Sequence, residues 1–339
     1  MKNLSIWAPP PYADDELFNP RSRLNRDNCL VPFHQLKAEV EKAGARCHTH
    51  DACLKHGIAP GVVLFLDIPA RPVAGLPGMA GSAAAKWLFL MEPETIIPRN
   101  WDMRLHGQFD RIFTWNDELV DNRRYFKFNY PVVFDPAVKF DASRKEKLCT
   151  LIAGNHRSGH PLELYSKRVE VIRWFEKNHP GDFDFYGKGW DEYLFGGPKP
   201  VRALNRLHFL RKALAPAFPS WKGSVAEKKS VLSKYKFCVC YENIRGIKGY
   251  ISEKIFDCFV SGCVPVYQGA ENVQEHIPAD CFLDQRVFPD YEAMYAFMKK
   301  MDDRVYSGYL GAISRFLAGP AAAKFSAAHF ADLILRDLI

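Results

Sequence analysis

Charged, amide and glycine residues follow a predicted buried strand in the segment YKFCVCYENIRGIKGYISEKIFDCFVSGCVPVYQG, residues 235–269. Ser252 is a favourable N-cap for the helix that follows, because its hydroxyl can accept an N–H of the first turn. Free N–H groups at a helix start suit a phosphate, which would also explain Lys254, a cation that the helix dipole disfavours there. Glu253 could accept hydrogen bonds from a ribose diol. The segment favours a nucleotide site, with a structural loop as the alternative.

A second candidate is an arginine on the inward face of a predicted helix. The segment PLELYSKRVEVIRWFEKN, residues 161–178, has helical spacing. Its inward stripe consists of Tyr165, Val169, Ile172 and Phe175. Arg168 lies on the same stripe, and an unpaired buried charge is costly, so we expect an anionic partner. That partner is either a protein carboxylate or the phosphate of a ligand.

Two carboxylates follow a predicted strand nearer the N-terminus. The run FLMEPETIIP, residues 89–98, ends its apolar part at Glu92 and Glu94. Side chains at the carboxyl end of a strand in an α/β domain face the ligand site. One of the two could therefore remove a proton from an acceptor hydroxyl as a general base. The alternative is that they cap a helix or lie in a solvated loop.

A third group has the residue types of a metal site. The sequence CHTHD contains Cys47, His48, His50 and Asp51. It follows a predicted helix that ends at Gly44, where the second strand of a Rossmann-type domain is expected. Alternate residues of a strand point to opposite faces, so His48 and His50 would share a face that excludes Cys47. We therefore predict a strand here and no metal site.

The elements that position these candidates alternate between strand and helix, which predicts two α/β domains. In the first domain a helix is predicted at 31–44. Its strands are predicted at 3–9, 45–51, 61–69, 86–94, 109–117 and 127–135. A polar linker is predicted at 135–147. In the second domain strands are predicted at 148–155, 183–187, 235–243 and 263–269, and helices at 161–178, 224–234 and 252–261.

Composition limits the function classes. The chain has 339 residues, 47% of them hydrophobic, and a formal net charge of +7. This mild basic excess suits a phosphorylated ligand but is too small to indicate nucleic-acid binding. Nine irregularly spaced cysteines favour free thiols in a reducing compartment. The N-terminal residues do not resemble a signal peptide, and no apolar run is long enough to cross a membrane. We predict a cytoplasmic protein.

Together these motifs resemble glycosyltransferase family 10, the α-1,3/1,4-fucosyltransferases, and within it the bacterial members. The segment 235–269 resembles the donor-binding signature of that family. The residues matched are Tyr241, Glu242, Asn243, Tyr250, Ser252, Glu253 and Lys254. The stretches LIAGN, ELYSKRVEVI and DFYGKGW resemble its other donor segment, which implies that Arg168 binds phosphate and that Tyr186 and Gly187 lie at the nucleotide. MEPETIIPRNW resembles the acceptor-domain strand, in which Glu92 matches the catalytic base best and Glu94 is the alternative.

The resemblance implies an α/β fold of the GT-B type, with two Rossmann-like domains facing a central cleft. Residues 1–140 would bind the acceptor, residues 148–319 would hold the GDP-sugar, and a single helix at 320–339 would close the chain. The implied reaction is inverting transfer of L-fucose from GDP-fucose. The acceptor would be O3 or O4 of an N-acetylglucosamine-type residue in an oligosaccharide, lipopolysaccharide or lipid-linked glycan. No obligatory metal and no nucleic-acid partner are implied.

The chain also departs from the family pattern. A Tyr-Gly-Arg motif of the family reads Tyr186-Gly187-Lys188 here, and residues 191–223 form an insertion. Within the insertion, VRALNRLHFLRKAL is basic and amphipathic, and it either contacts the inner face of a membrane or packs as an ordinary surface helix. Two alternatives to fucosyl transfer stay open: the same fold with another nucleotide sugar, and a non-catalytic nucleotide- or glycan-binding relative.

Overall fold

A computed structural model describes residues 2–140 and 145–338, so residues 141–144 of the predicted linker lie outside the described residues. The chain divides into two compact units. Unit 1 consists of Met1–Phe134, Lys248–Tyr250 and Pro320–Ile339. Unit 2 consists of Asp135–Ile247 and Ile251–Gly319.

Unit 1 contains a parallel sheet of six strands in the order β2-β1-β3-β4-β5-β6. The strands are β1 Leu4–Trp7, β2 Cys47–Thr49, β3 Val62–Leu66, β4 Ala85–Leu90, β5 Arg111–Thr114 and β6 Tyr125–Lys127. The helices are α1 Val31–Lys42, α2 His50–Lys55, α11 Pro320–Ala323 and α12 Ala327–Leu338. Leu66 pairs with Phe89, so the residues that follow β3 and β4 emerge at the same edge of the sheet.

Aromatic packing ties the last helix of the chain to the sheet of unit 1. Phe89 and Phe113 stack with ring centroids 4.4 Å apart, and Phe330 of α12 meets Phe89 edge-on at 5.4 Å. The same Phe330 ring contacts Phe33 of α1 at 5.6 Å. These fully or nearly fully buried rings remove a large apolar area from water. The C-terminal residues therefore belong to the core of unit 1.

Unit 2 contains a parallel sheet of five strands in the order β11-β10-β9-β7-β8. The strands are β7 Lys147–Ile152, β8 Phe183–Tyr186, β9 Tyr235–Tyr241, β10 Val264–Gln268 and β11 Leu283–Asp284. The helices are α3 Tyr165–Asn178, α4 Lys199–Ala203, α5 His208–Ala213, α6 Lys228–Leu232, α7 Glu253–Val260, α8 Val273–His276, α9 Tyr291–Lys300 and α10 Asp303–Leu317. Helix α7 buries Ile255, Phe256 and Phe259. This apolar face fixes the position of its N-terminus.

Two strand predictions were wrong in their extent. Strand β2 stops at Thr49, and His50 begins helix α2, so His48 and His50 do not share a strand face. The ring nitrogens of His50 lie 2.9 Å from Ser5 Oγ and from the carbonyl of Pro77, which explains its burial. Of the strand predicted at 127–135, only Lys127 lies in a strand, because β6 ends there. Pro131, which follows, cannot donate to a ladder.

Two helix predictions were also wrong in their extent. The tail at 320–339 contains two helices, because Val132 forms an isolated parallel bridge with Ser326 between them. The amphipathic stretch in the insertion is divided between α4 and α5. Asn205 there bonds the main chain of Phe195 at 2.9 Å in both directions, and Leu207 has a non-helical backbone.

Candidate functional site

The loop after β9 is fixed by a buried carboxylate. Glu242 is completely buried, and its Oε1 and Oε2 accept hydrogen bonds from the N–H and hydroxyl of Ser252 at 2.8 and 2.7 Å. Ser252 is the N-cap of α7, with its Oγ 3.4 Å from the N–H of Lys254. Glu242 therefore fixes the start of α7 relative to the end of β9.

Lys254 has a protein counter-charge at this helix start. Its Nζ lies 3.0 Å from Ser252 Oγ and 3.4 Å from Glu242 Oε2. The sequence interpretation attributed the cation to a bound phosphate, whereas the structure supplies a carboxylate beside it. Because the Lys254 side chain is one-quarter exposed, it can still be reached by a ligand.

Arg168 lies on the inward stripe of α3, as its spacing predicted, and is buried. Its Nη2 donates to the carbonyls of Tyr241 and Glu242 at 2.7 and 2.8 Å and to Asn243 Oδ1 at 3.1 Å. These three acceptors are neutral oxygens of the last residue of β9 and the loop after it. Arg168 thus ties α3 to the carboxyl end of β9.

The two cations line one small cavity at the carboxyl ends of β7 and β9. Its wall includes Arg168, Lys254 and Lys228, together with Asp257, which pairs with Lys228 at 2.6 Å. The volume of about 30 Å³ is that of roughly one water molecule. Asp257 lies beside Lys228, and Glu242 and Glu253 lie beside Lys254, so an anionic ligand at this cavity would share these cations with protein carboxylates.

Glu253 stands beside these cations in the first turn of α7. Partial removal from water would raise its pKa, but Lys254 and then Lys228 outweigh this and lower the pKa of Glu253 to about 2. The side chain is nearly half exposed, with an oxygen 3.5 Å from Lys254 Nζ. Glu253 is therefore an ionised, accessible hydrogen-bond acceptor.

Tyr186 and Gly187 end strand β8 next to β7. Gly187 has a φ of +146°, and a Cβ there would lie 1.7 Å from the carbonyl oxygen of Ala153, so the backbone approach requires glycine. Tyr186 Oη lies 3.1 Å from Tyr235 Oη. Both residues lie at the same sheet edge as the cation cavity, within unit 2.

His156 is a residue that sequence reasoning missed. It lines a groove of about 460 Å³ in unit 2, together with Asn155, Tyr165 and Tyr193. Burial lowers the pKa of His156, and the nearby charges of Arg168 and Lys254 lower it further. The signal was its position directly after β7, where loops of α/β sheets contact ligands.

Glu92 follows β4 in unit 1, and its main chain is held on both sides. Its N–H donates to Asp67 Oδ1 at 3.0 Å, and its carbonyl accepts from Asn100 Nδ2 at 3.1 Å and Trp101 Nε1 at 3.2 Å. Burial raises the pKa of Tyr12, and the charges of Cys29 and then Glu92 add to the rise. Glu94, two residues on, is exposed.

Asp67 is a second residue that sequence reasoning missed. It follows β3, and burial raises its pKa to about 6 although the N–H groups of Glu92 and Met91 and the amide of Asn100 oppose the rise. It also lines a cavity of about 650 Å³ in unit 1. Its run, GVVLFLDIP, was predicted as a buried strand that ends in an acidic residue, but Asp67 was not proposed as a site residue.

Tyr250 lies in the segment Lys248–Tyr250, which belongs to unit 1, whereas the other predicted donor residues belong to unit 2. Its buried ring lies 4.5 Å from Trp115 and 6.2 Å from Tyr130. Gly249 has a φ of +80°, and a Cβ there would lie 2.2 Å from the Trp115 carbonyl. The structure therefore gives Tyr250 a packing role in unit 1.

Over residues 2–140 and 145–338, no three or more His, Cys, Asp or Glu side chains are grouped so that they could hold a metal ion. No helix within those ranges is both long and apolar enough to cross a membrane. The nine cysteines are free thiols, of which Cys29 is exposed and the others are buried.

Each of the two α/β units contains a parallel sheet, and in unit 2 cations lie at the carboxyl ends of the strands. These features define a Rossmann-like protein with a candidate nucleotide site. Comparison with known proteins narrows this class. A sequence model described as glycosyltransferase family 10 (fucosyltransferase), C-term, matches residues 142–311. The chain belongs to this family, and the matched range includes Arg168 and the whole loop from Glu242 to Lys254.

A curated relative agrees with this assignment, and solved structures share the fold. The 4-galactosyl-N-acetylglucosaminide 3-alpha-L-fucosyltransferase 9 of Mus musculus is 34% identical over 273 residues, 78% of this chain and 63% of that protein. An alpha1,3-fucosyltransferase crystallised with GDP has a TM-score of 0.55 and 14% identity, covering 99% of this chain and 90% of that chain. Anabaena HepE in complex with UDP and glucose has a TM-score of 0.58 and 9% identity, covering 100% and 99%.

The chain spans less than two thirds of the length of the curated relatives that it matches. The two structural likenesses, at such low identity, establish the fold alone. The fold is GT-B, with a Rossmann-like sheet in each unit, as the sequence predicted.

Proposed function

We propose that the protein is an inverting glycosyltransferase that moves L-fucose from GDP-fucose to a hydroxyl of a glycan acceptor. The observation that carries this proposal is the pair Arg168 and Lys254 on one cavity wall, inside the range matched by the family model. The names of the relatives, which act on N-acetylglucosaminides, support O3 or O4 of an N-acetylglucosamine-type residue as the acceptor.

On the donor side, the departing group is a nucleoside diphosphate whose negative charge grows as the sugar leaves. Arg168, Lys254 and the positive end of the α7 dipole would stabilise that charge. Glu253, ionised and accessible, would accept hydrogen bonds from the ribose hydroxyls. Since protein cations are available for the diphosphate, we propose that no divalent metal is required.

On the acceptor side, Glu92 would take the proton of the attacking hydroxyl as general base. The hydroxyl oxygen forms its bond to the anomeric carbon while the bond from that carbon to the diphosphate oxygen breaks, so the configuration inverts. The main chain of Glu92 is fixed by Asp67, Asn100 and Trp101, which supports a defined position for the carboxylate. Glu94 is the alternative base.

The natural acceptor is proposed to be a surface glycan, a lipopolysaccharide or a lipid-linked precursor, met in the cytoplasm at the inner face of a membrane. Support comes from the insertion, where Phe209 is 73% and Leu214 50% exposed beside Arg206 and Lys212. An exposed apolar residue flanked by basic ones suits an anionic lipid surface.

Transfer is tested by incubating the protein with GDP-fucose and a panel of N-acetyllactosamine-type oligosaccharides, followed by mass spectrometry. A product one deoxyhexose heavier, formed with GDP-fucose and absent with other nucleotide sugars, is expected. A product formed only with another nucleotide sugar would keep the fold and replace the reaction. Binding of GDP-fucose with no product from any acceptor would favour the non-catalytic relative.

A further inference from the structure

Asp67 occupies an unusual backbone position at the edge of the unit 1 sheet. Its φ is 64°, a left-handed conformation that Asp and Asn adopt more readily than other residues with a side chain. The N–H of Asp67 donates to the carbonyl of Phe89 at 2.9 Å, and the hydrogen bonds to its side chain all reach one oxygen. Oδ1 accepts from the N–H groups of Met91 and Glu92 at 2.7 and 3.0 Å and from Asn100 Nδ2 at 2.6 Å.

The other carboxylate oxygen of Asp67 is left for a ligand. Among the residues that the structure describes, no hydrogen bond reaches Oδ2, although Asp67 lines the cavity of about 650 Å³ in unit 1. The Asp67 side chain is partly exposed, so a ligand in the cavity can reach Oδ2 and replace the water that would otherwise donate to it. The cavity volume is in the range of small-molecule sites.

The chemistry of this cavity fits a sugar. Its walls are mostly apolar and include Trp7, Pro69 and Leu76, on which the C–H face of a sugar ring can pack. The imidazole of His50 also lines the cavity, but both of its nitrogens are engaged by Ser5 and Pro77. Asp67 Oδ2 is thus an acceptor placed to bind a hydroxyl, a group that every sugar supplies.

We propose that Asp67 binds the acceptor and positions the base: Oδ1 holds the main chain of Glu92, and Oδ2 accepts a hydrogen bond from a hydroxyl of the acceptor sugar bound in this cavity. The inference rests on the proposed function, because it assigns the cavity to the acceptor of that reaction. The two oxygens of Asp67 thus have different roles: loss of the contact from Oδ2 to the acceptor should change KM, and loss of the contact from Oδ1 to Glu92 should change kcat.

The test compares Asp67→Asn and Asp67→Ala with a matched control, using N-acetyllactosamine as the probe acceptor. The control is Asp110→Asn, whose Oδ2 accepts the N–H of Lys86 at 2.7 Å at the other end of β4. Steady-state transfer is measured with GDP-fucose, sugar contact by saturation-transfer NMR, and GDP affinity by calorimetry.

Asp67→Asn is expected to raise the acceptor KM about tenfold with little change in kcat, because a neutral amide replaces a charged acceptor while its oxygen can still hold Glu92. Asp67→Ala is expected to lower kcat as well, because the N–H groups of Met91 and Glu92 lose their acceptor. Saturation transfer to the sugar should fall in both variants and persist in Asp110→Asn. GDP affinity should be unchanged in all three.

An acceptor KM for Asp67→Asn equal to that of Asp110→Asn would overturn the inference. So would the absence of saturation transfer to any sugar of the panel from wild-type protein, or a fall in kcat without a change in KM for Asp67→Asn. Failure of the wild type to bind GDP would instead count against the proposed function, since Asp67 lies in unit 1 and the donor assignment is in unit 2.

Discussion

Asp67 in unit 1 and Glu242 in unit 2 are two carboxylates used in similar ways with different outcomes. Each follows a central strand of its sheet, β3 or β9, and each accepts the main-chain N–H of a later loop. Glu242 uses both oxygens on Ser252 and has Lys254 nearby, so its bonding is complete. Asp67 concentrates its bonds on Oδ1.

The number of carboxylate oxygens that already accept hydrogen bonds distinguishes a structural carboxylate from one that can bind a ligand. A fully buried group with both oxygens occupied serves the fold, because a ligand cannot reach it. A carboxylate with one fixed and one available oxygen can hold a neighbour and still contact a ligand. By this criterion Glu242, which matches the donor signature, fixes the loop of the site through Ser252. Glu253 and Lys254 are the residues of the site that a ligand can reach.

The largest effect is expected from Glu92→Gln, which removes the proposed base from the unit 1 edge. Turnover should fall about 10²–10⁴-fold, the usual contribution of a general base, while GDP affinity stays unchanged. The measurement is kcat for fucosyl transfer, with Glu94→Gln as the matched control. Near wild-type turnover in Glu92→Gln together with a loss in Glu94→Gln would transfer the role to Glu94.

A smaller effect is expected on stability, from the raised pKa of Asp67. Its pKa of about 6 in the folded protein exceeds the ordinary value of 3.8, so the folded state binds more protons between these values. Stability should therefore fall as pH rises through that window, by up to about 3 kcal/mol. Asp67→Asn lacks this dependence, so its stability relative to wild type should increase from pH 4 to pH 7.5.

Denaturant unfolding at a series of pH values provides the measurement. A difference between wild type and Asp67→Asn that stays constant across the series would contradict a desolvated carboxyl at this position. A difference of the opposite sign would show that its hydrogen bonds outweigh burial.

On the unit 2 edge, Lys254→Ala should weaken GDP binding about 10–100-fold, the worth of a charge-assisted hydrogen bond. Calorimetry measures it, and Lys299→Ala is the control, because Lys299 pairs with Asp182 at 2.8 Å at the amino end of β8. Arg168→Ala should weaken binding too, but it also leaves the carbonyls of Tyr241 and Glu242 without their donor. Unchanged GDP affinity in both variants would remove the phosphate assignment.

The smallest effect is expected from chelation. Transfer rates with and without EDTA should agree, since Arg168 and Lys254 are assigned the charge that a metal would otherwise neutralise. Apo-protein dialysed without a chelator is the control. Loss of activity with EDTA and recovery with Mg²⁺ or Mn²⁺ would require a metal in the donor complex.

The sequence was sufficient to predict features that depend only on neighbouring residues. Ser252 was predicted as an N-cap from its position before an apolar helical stripe, and Arg168 was predicted to be buried from the 3.6-residue spacing of its helix. Both depend on neighbours within a few residues, and both follow from periodicity and capping rules.

The features that the sequence did not predict depend on contacts between residues far apart in the chain. Asp67 acquires its role from donors 24, 25 and 33 residues away, which its own short strand does not indicate. The two-helix tail follows from the pairing of Val132 with Ser326, and the place of Tyr250 in unit 1 follows from its contact with Trp115. Such features require the assembled sheet, so no local pattern predicts them.

The central claim is that unit 2 binds a guanine nucleotide sugar, and a thermal-shift screen tests it most directly. Wild-type protein is compared with GDP-fucose, GDP, GDP-mannose, UDP-sugars and CMP-sialic acid. A ligand at a hundredfold excess over Kd stabilises the native state by about 2.7 kcal/mol, enough for a clear rise in Tm. We expect Tm to rise with GDP and GDP-fucose and the rise to be smaller in Lys254→Ala. A rise with UDP-sugars alone, or no rise with any of the nucleotides, would contradict the claim.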